Sequence, residues 1–63
     1  MWTSVYMSQN LDNAKDMRQK MEEFKILVML RYIKIEDRAG EDCYELLVPS
    51  AELNEALDII ISE

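Results

Sequence analysis

The chain has 63 residues, of which 49% are hydrophobic, 13 are acidic and 7 are basic, and its net charge is −6. This hydrophobic fraction is too high for a disordered tail. The acidic balance argues against a general nucleic-acid binder, which needs a basic surface to neutralise phosphates. The length predicts a single domain that spans residues 1–63.

The first third of the chain predicts a strand followed by a helix. Residues 2–7 are rich in β-branched and aromatic side chains, which favour a strand. Ser8 or Asn10 can then cap a helix by accepting hydrogen bonds from its first backbone N–H groups. Apolar residues recur after that at spacings of three and four, which predicts an amphipathic helix of about four turns. These residues are Ala14, Met17, Met21 and Phe24.

The remainder predicts a β-hairpin and a second helix. Residues 25–35 are dense in Ile, Leu, Val and Tyr without glycine or proline, so they form the second predicted strand. The charged segment 36–42 carries the single glycine of the chain, and residues 44–48 form a third strand that stops at Pro49. Residues 50–62 predict a helix capped by Ser50. Its apolar face consists of Leu53, Ala56, Leu57 and Ile60.

The hairpin assigns side chains to two faces of the sheet. A three-residue loop at 38–40 with a left-handed Gly40 pairs Tyr32 with Leu46 and Leu30 with Val48. Side chains alternate between faces, and both faces are largely apolar. The first face carries Val28, Leu30, Tyr32, Tyr44, Leu46 and Val48. The second carries Leu27, Met29, Ile33, Ile35, Cys43 and Leu47.

One of these two faces should stay uncovered. The helices of a split βαβ arrangement lie on the same side of the sheet, and only two helices are available. An exposed apolar face of this size is typical of an interaction site. We therefore predict that the second face is an interface, and that Ile33→Lys or Leu47→Lys weakens association without unfolding the monomer. Unfolding by these substitutions would instead identify that face as the core.

Catalytic and metal sites have little support in the sequence. Histidine is absent and Cys43 is the single cysteine, so neither an internal disulfide nor a zinc site can form. Acidic neighbours disfavour a reactive thiolate at Cys43. The acidic segment 36–42 lacks the calcium-loop spacing and is interpreted as a solvated hairpin tip.

Trp2, Tyr6 and Tyr32 would suit base stacking, but the acidic charge favours packing or a protein interface. We predict no enzyme, metal or cofactor.

The sequence also predicts the cellular location of the protein. No apolar run approaches the roughly 20 residues that span a bilayer. The opening MWTSVYMSQN lacks the basic and long apolar regions of a signal peptide. These features predict a cytoplasmic protein without a membrane partner.

Nearly the whole chain resembles a family of short bacterial domains described only as signal-transducing proteins of unknown function. The resemblance lies in WTSVYMSQNLDNAKDMRQKMEEFKILVMLR and YELLVPSAELNEALDII, with its LLVP strand end and acidic, alanine-containing helix. The fold of that family is similar to the ferredoxin-like fold of PII proteins, but it lacks the last strand. The resemblance implies an α+β fold, β-α-β-β-α, with an antiparallel sheet of order 1-3-2 and two helices on one face. The family often has glycine where Lys25 stands, so a left-handed cap is not expected there.

The resulting functional hypothesis is a small non-catalytic regulatory or protein-interaction module. It would act as a homodimer, or dock on a protein partner, through the open sheet face and the free edge of the first strand. Self-association would also support a domain too small for an extensive core. The alternative is a small-molecule sensor resembling PII-type signalling proteins, with a metabolite between sheet and helices or at a dimer seam. Fold analogy alone does not transfer nucleotide binding.

Overall fold

A computed structural model describes residues 1–34 and 42–62. The chain forms three strands, two helices and a short 3₁₀ turn within these ranges. In chain order they are β1 (Trp2–Ser8), α1 (Leu11–Glu23), β2 (Met29–Ile33), β3 (Cys43–Pro49), the 3₁₀ turn (Ser50–Glu52) and α2 (Leu53–Ile61).

The strands form one antiparallel sheet in the order β1-β3-β2. This is the predicted βαββα arrangement, a ferredoxin-like fold without a final strand. Strand β3 is central, and Pro49 is its last residue. Proline lacks a backbone N–H, and the end of a strand is where that loss disrupts the ladder least.

Both helices pack against the same face of the sheet. Met17 and Met21 of α1 and Ala56 of α2 form a buried cluster with Leu46 and Val48 of β3. Met21, Leu46 and Val48 are completely buried. The helices therefore cover the face that carries Leu46 and Val48, a choice between the two faces that the sequence left open.

Asn10 is the residue that caps α1. Its side-chain oxygen accepts hydrogen bonds from the backbone N–H groups of Asp12 at 2.8 Å and Asn13 at 3.3 Å. Ser8, the other candidate, instead accepts a hydrogen bond from the backbone N–H of Asn10 at 3.0 Å. The start of the helix is thus fixed by one of the two predicted residues.

The end of α1 differs from the expectation at Lys25. This residue has a φ of 61°, in the left-handed region that favours glycine. The Lys25 N–H donates to the Glu22 carbonyl at 2.9 Å, and the Ile26 N–H donates to the Met21 carbonyl at 3.0 Å. These two bonds form a Schellman cap, so the expectation that lysine precludes a left-handed cap was wrong. The chain turns here, which leaves Phe24 68% exposed and buries Ile26 in its place.

Strand β2 is shorter than predicted, and its pairing with β3 is shifted. The backbone N–H of Leu27 donates to a carboxylate oxygen of Glu52 at 3.0 Å, and β2 begins only at Met29. Tyr32 pairs with Tyr44, whereas the predicted partner was Leu46. The shift is two residues, so each described strand residue keeps its predicted face. The predicted loop at 38–40 lies outside the described residues.

Ser50 does not cap α2, contrary to the prediction. Its backbone N–H and its hydroxyl both donate to the Met1 carbonyl, at 2.9 and 3.1 Å. Its hydroxyl oxygen also lies 2.9 Å from that of Thr3. The side chain therefore anchors the start of β1, and α2 begins three residues later without a side-chain cap.

The buried side of α2 also differs from the predicted face. Ala56 is buried, and Ile59 and Ile60 pack against the core. Leu57, predicted to face the sheet, is 38% exposed. The 3₁₀ turn has three residues per turn, so α2 starts at a different rotation from a continuous α-helix.

Candidate interaction surface

The side of the sheet opposite the helices forms the surface that we term the open face. Its residues alternate along each strand with residues of the core, and no helix within residues 1–34 and 42–62 covers them. Across the sheet, Met29 pairs with Leu47 and Ile33 pairs with Cys43. The open face comprises Trp2, Ser4 and Met7 of β1, Met29, Arg31 and Ile33 of β2, and Cys43, Glu45 and Leu47 of β3.

A β-bulge determines which residues β1 contributes to the open face. The register with β3 shifts between Ser4 and Tyr6, which leaves Val5 as an extra residue. Val5 and Tyr6 both pack towards the core, and Met7 pairs with Glu45 on the open side. Strict alternation from Trp2 would have placed Tyr6 on the open face and Met7 on the core side. The bulge therefore explains why alternation misses Met7 as a member of this surface. Trp2 was also absent from the predicted interface, because the side chains of β1 were not assigned to a face.

Four of the six predicted interface residues lie on the open face, namely Met29, Ile33, Cys43 and Leu47. Leu27 precedes β2 and is 60% exposed, and Ile35 lies outside the described residues. Leu47 is only 6% exposed because neighbouring side chains cover it, whereas Met29 is 40% exposed. Met29 is therefore available to a partner, and Leu47 mainly supports the monomer.

An ion pair occupies the middle of the open face. Nε of Arg31 donates to Oε1 of Glu45 at 2.9 Å, and Nη2 of Arg31 donates to the same oxygen. The hydrogen bond from the Ser4 side chain holds the pKa of Glu45 below its ordinary value of 4.5; burial opposes this effect, and Arg31 adds to it. The carboxylate is consequently ionised at neutral pH, and Arg31 neutralises it.

The charges of Arg31 and Glu45 could have indicated this ion pair, but the predicted register between the second and third strands did not place the two residues opposite each other. That register placed Arg31 opposite Leu47 and Glu45 opposite Ile33, so that each charge faced an apolar side chain. The observed register places Arg31 directly opposite Glu45. Opposite charges on facing positions stabilise a sheet, so a preference for matched cross-strand pairs would have identified the correct alignment.

Large apolar side chains are exposed on the same face as the ion pair. Trp2 is 43% exposed, Met7 is 54% exposed and Met29 is 40% exposed. Trp2 and Met7 belong to the edge strand β1, and Met29 belongs to β2. The described part of the open face is thus apolar at its margins and electrically neutral at its centre.

The aromatic residues considered for base stacking do not share a surface. Trp2 lies on the open face, whereas Tyr6 packs against the core on the other side. Tyr32 pairs with Tyr44 on that second side, with ring centroids 5.4 Å apart. The Tyr32 hydroxyl donates to Asp42 at 2.5 Å, and this bond raises the pKa of Tyr32. The geometry contradicts a stacking platform built from Trp2, Tyr6 and Tyr32.

Within residues 1–34 and 42–62, the side chains capable of metal binding do not cluster. Cys43 is half-buried on the open face, where it pairs with Ile33. No three side chains among the described cysteine, aspartate and glutamate residues lie close enough together to hold a metal ion. Most of the acidic segment 36–42 lies outside the described residues.

Two grooves, each of about 300 Å³, lie on the helix side of the molecule. We term them the edge groove and the helix groove. The edge groove lies beside β1 and α1 and is lined by Tyr6, Asn13, Asp16, Met17, Gln19 and Lys20. The helix groove lies between the end of α1 and α2 and is lined by Phe24, Ile26, Glu55, Asp58, Ile59 and Ser62.

Within the described part of the chain, neither helix has the length and apolar character needed to cross a membrane. Comparisons with protein-family models, curated proteins and solved structures found no match to the chain.

Proposed function

We propose that the chain is a small non-catalytic protein-interaction module that associates through the open face and the adjoining edge of β1. The association is with a second copy or with a protein partner. The resemblance to bacterial signal-transducing domains supports a regulatory role. The cytoplasmic location predicted from the sequence is part of the same proposal.

The observation that carries this proposal is the combination of apolar exposure and neutral charge on the open face. Trp2, Met7 and Met29 together present three large, partly exposed apolar side chains on one side of a small sheet. Such a concentration is typical of a surface that binds another protein. The chain carries a net charge of −6, and like charges oppose the approach of acidic partners. On the open face, Arg31 neutralises Glu45, so this pair adds no net charge to that surface.

The substitution Met7→Lys tests the proposal. Met7 lies on both the open face and the edge strand, and its exposure of 54% makes a folded variant the expected result. The matched control is Leu57→Lys on α2, where the replaced side chain is 38% exposed. In sedimentation equilibrium, Met7→Lys should weaken the self-association of the wild type, and Leu57→Lys should retain it.

A protein partner is tested with the same two variants. The wild-type chain is used as bait in a lysate of the source organism, and captured proteins are identified by mass spectrometry. A partner of the open face is lost with Met7→Lys bait and retained with Leu57→Lys bait. The proposal would be contradicted if Met7→Lys and Leu57→Lys showed the same self-association and captured the same proteins.

A ligand-sensing role is the second candidate, and the helix groove favours it. Phe24, Ile26 and Ile59 provide an apolar lining, and Glu55 and Asp58 provide carboxylates. A small metabolite bound there should raise the melting temperature in a thermal-shift screen, because it binds only the folded state. Phe24→Ala should remove the shift and leave the fold intact, since Phe24 is 68% exposed. A screen without any stabilising compound would count against this role.

A further inference from the structure

We infer that β1 is the contact between two copies of this chain, which pair antiparallel along their outer β1 edges into one continuous six-stranded sheet. The inference rests on the homodimeric form of the proposed function. The two copies contact each other along the edge of β1, and the open face of the six-stranded sheet stays available to other proteins.

Two strands of the sheet have outer edges. Because β3 is central, β1 and β2 each present one side of their backbone away from the sheet. No strand in residues 1–34 or 42–62 pairs with the outer edge of β1, which is seven residues long. An edge of this length presents a row of backbone donors and acceptors that can pair with another chain.

The two edges differ in charge. Edge strands are commonly protected from pairing by lysine, other charged residues or proline. Strand β1, with the sequence WTSVYMS, contains none of these residues. Strand β2 contains Arg31 and is followed directly by Lys34. Glu45 already neutralises Arg31, so Lys34 is the like charge that two β2 edges would bring near each other. Two β1 edges bring no charged strand residues together.

The bulge at Val5 is the one protective feature of β1, and it does not remove the edge. Pairing with β3 continues on both sides of the bulge, from Trp2 to Ser4 and from Tyr6 to Ser8. Both segments are paired with β3 on their inner side, so their outer backbone groups remain available for a second strand despite the local bend of the bulge.

The edge groove provides room for the side chains of an added strand. A strand beside β1 would direct alternate side chains towards the helices, next to Tyr6 and Met17, which line this groove of about 300 Å³. Its other side chains would extend the open face beside Trp2 and Met7. Strand β1 itself has this two-sided apolar pattern, since Val5 and Tyr6 lie on the helix side. On the open side, Trp2 and Met7 of a second copy would therefore extend the apolar surface of the first, and on the helix side its strand would lie beside a groove whose lining is mostly polar.

Antiparallel pairing of two identical edges has two-fold symmetry. The same patch is used on both copies, so the assembly closes at the dimer and does not extend into a fibre. The helices of both copies then lie on the same side of the six-stranded sheet.

Amide hydrogen exchange at low and high protein concentration tests this arrangement without any substitution. In the dimer, the outer N–H groups of β1 are hydrogen-bonded to the second copy and exchange more slowly. We expect alternate amides of residues 2–8 to gain protection as concentration rises. The outer amides of β2 should exchange at the same rate at both concentrations.

A matched pair of substitutions separates edge pairing from docking of the open faces. Met7→Lys and Met29→Lys introduce the same charge on the same face, one on β1 and the other on β2. Because a symmetric dimer contains each substitution twice, Met7→Lys should raise the dimer dissociation constant by about tenfold. Met29→Lys should leave it within about twofold. Circular dichroism verifies that both variants are folded.

The possible results distinguish this inference from the proposed function. If both variants weaken the dimer equally and β1 gains no amide protection, the contact is the open face; edge pairing is then refuted and the proposed function stands. If the wild type stays monomeric up to about 1 mM, self-pairing of β1 is refuted. In that case the capture experiment with Met7→Lys still decides whether the chain docks on another protein.

Discussion

The guanidinium of Arg31 on β2 donates two hydrogen bonds to a single carboxylate oxygen of Glu45 on β3. The two partners differ in environment, because the Arg31 side chain is 56% exposed and the Glu45 side chain is 7% exposed. The pair thus compensates a charge that is already buried in the monomer, on a face that no helix of the described residues covers. An uncompensated carboxylate at this position would be costly, so the pair supports the fold as well as the neutral character of the surface.

The first prediction concerns the pH dependence of stability. Hydrogen bonding from Ser4 and pairing with Arg31 lower the pKa of Glu45 in the folded state below its ordinary value of 4.5. Between the pKa of Glu45 in the folded chain and its higher pKa in the unfolded chain, the unfolded chain binds more protons. The free energy of unfolding therefore rises with pH in this range. The contribution of Glu45 is complete above its unfolded pKa and is lost as the pH falls through its folded pKa.

Urea denaturation of the wild type and of Glu45→Gln between about pH 3 and pH 7 measures this contribution. The amide introduced by this substitution cannot titrate, so the stability difference between wild type and variant should be largest at neutral pH and should shrink in acid. Arg31→Ala should cost about 1 kcal/mol at neutral pH and reduce the same acid dependence. A difference between wild type and Glu45→Gln that is constant over the whole range would contradict the assigned pKa shift.

The second prediction concerns Lys25, whose φ of 61° places it in the left-handed region. A side chain with a β-carbon is strained there, whereas glycine is not. Lys25→Gly should therefore stabilise the protein by about 0.5–1 kcal/mol, net of the greater flexibility of glycine in the unfolded chain. Lys25→Ala is the control, because it removes the charge and keeps the β-carbon. Equal stability of the glycine and alanine variants in thermal denaturation would show that the backbone strain is not the cause.

The third prediction separates two residues that the sequence assigns the same capping role. Asn10 accepts hydrogen bonds from two backbone N–H groups of α1, so Asn10→Ala should destabilise the protein by about 1 kcal/mol. Asn10→Asp should retain most of the stability. Ser50→Ala removes the bonds of the hydroxyl to Met1 and leaves the start of α2 unchanged. Amide exchange should accelerate in residues 1–3 of that variant, and protection of α2 should be unaltered.

The residue pattern was sufficient for the element order and the separation of the two faces, whereas the sheet order was implied only by the family resemblance. Element order and face separation depend on periodicity, which survives small errors in alignment. The two-residue error in the hairpin register shows this, because it changed the partners of Arg31 and Glu45 without moving either to the other face. Their ion pair depends on the partner itself, and so it was missed.

Other features depend on backbone details that side-chain patterns do not specify. The bulge at Val5 moves Met7 to the open face, and nothing in the alternation of β1 indicates it. The left-handed turn at Lys25 has no glycine to indicate it. Ser50 is followed by a helix, but its hydroxyl bonds to the carbonyl of Met1, a contact that exists only in the folded sheet.

The last prediction revises the sequence-based expectation for Leu47. The sequence predicted that Leu47→Lys would weaken association and leave the monomer folded, since Leu47 was assigned to the exposed interface. Leu47 does lie on the open face, but it is only 6% exposed. A lysine there must bury its charge or displace its neighbours, at a cost on the order of 3 kcal/mol, which is a large part of the stability of a small domain. Met29, which pairs with Leu47, is 40% exposed and can carry a lysine into solvent.

Leu47→Lys should therefore lower the urea midpoint strongly, whereas Met29→Lys should lower it by less than about a quarter as much. Leu47→Met, which keeps the volume and apolar character, should stay close to the wild type. Measurement at a protein concentration far below that of any self-association confines the effect to the monomer. Equal midpoints for Leu47→Lys and Met29→Lys would mean that Leu47 is covered only weakly in the monomer, and the original assignment of Leu47 to the exposed interface would be restored.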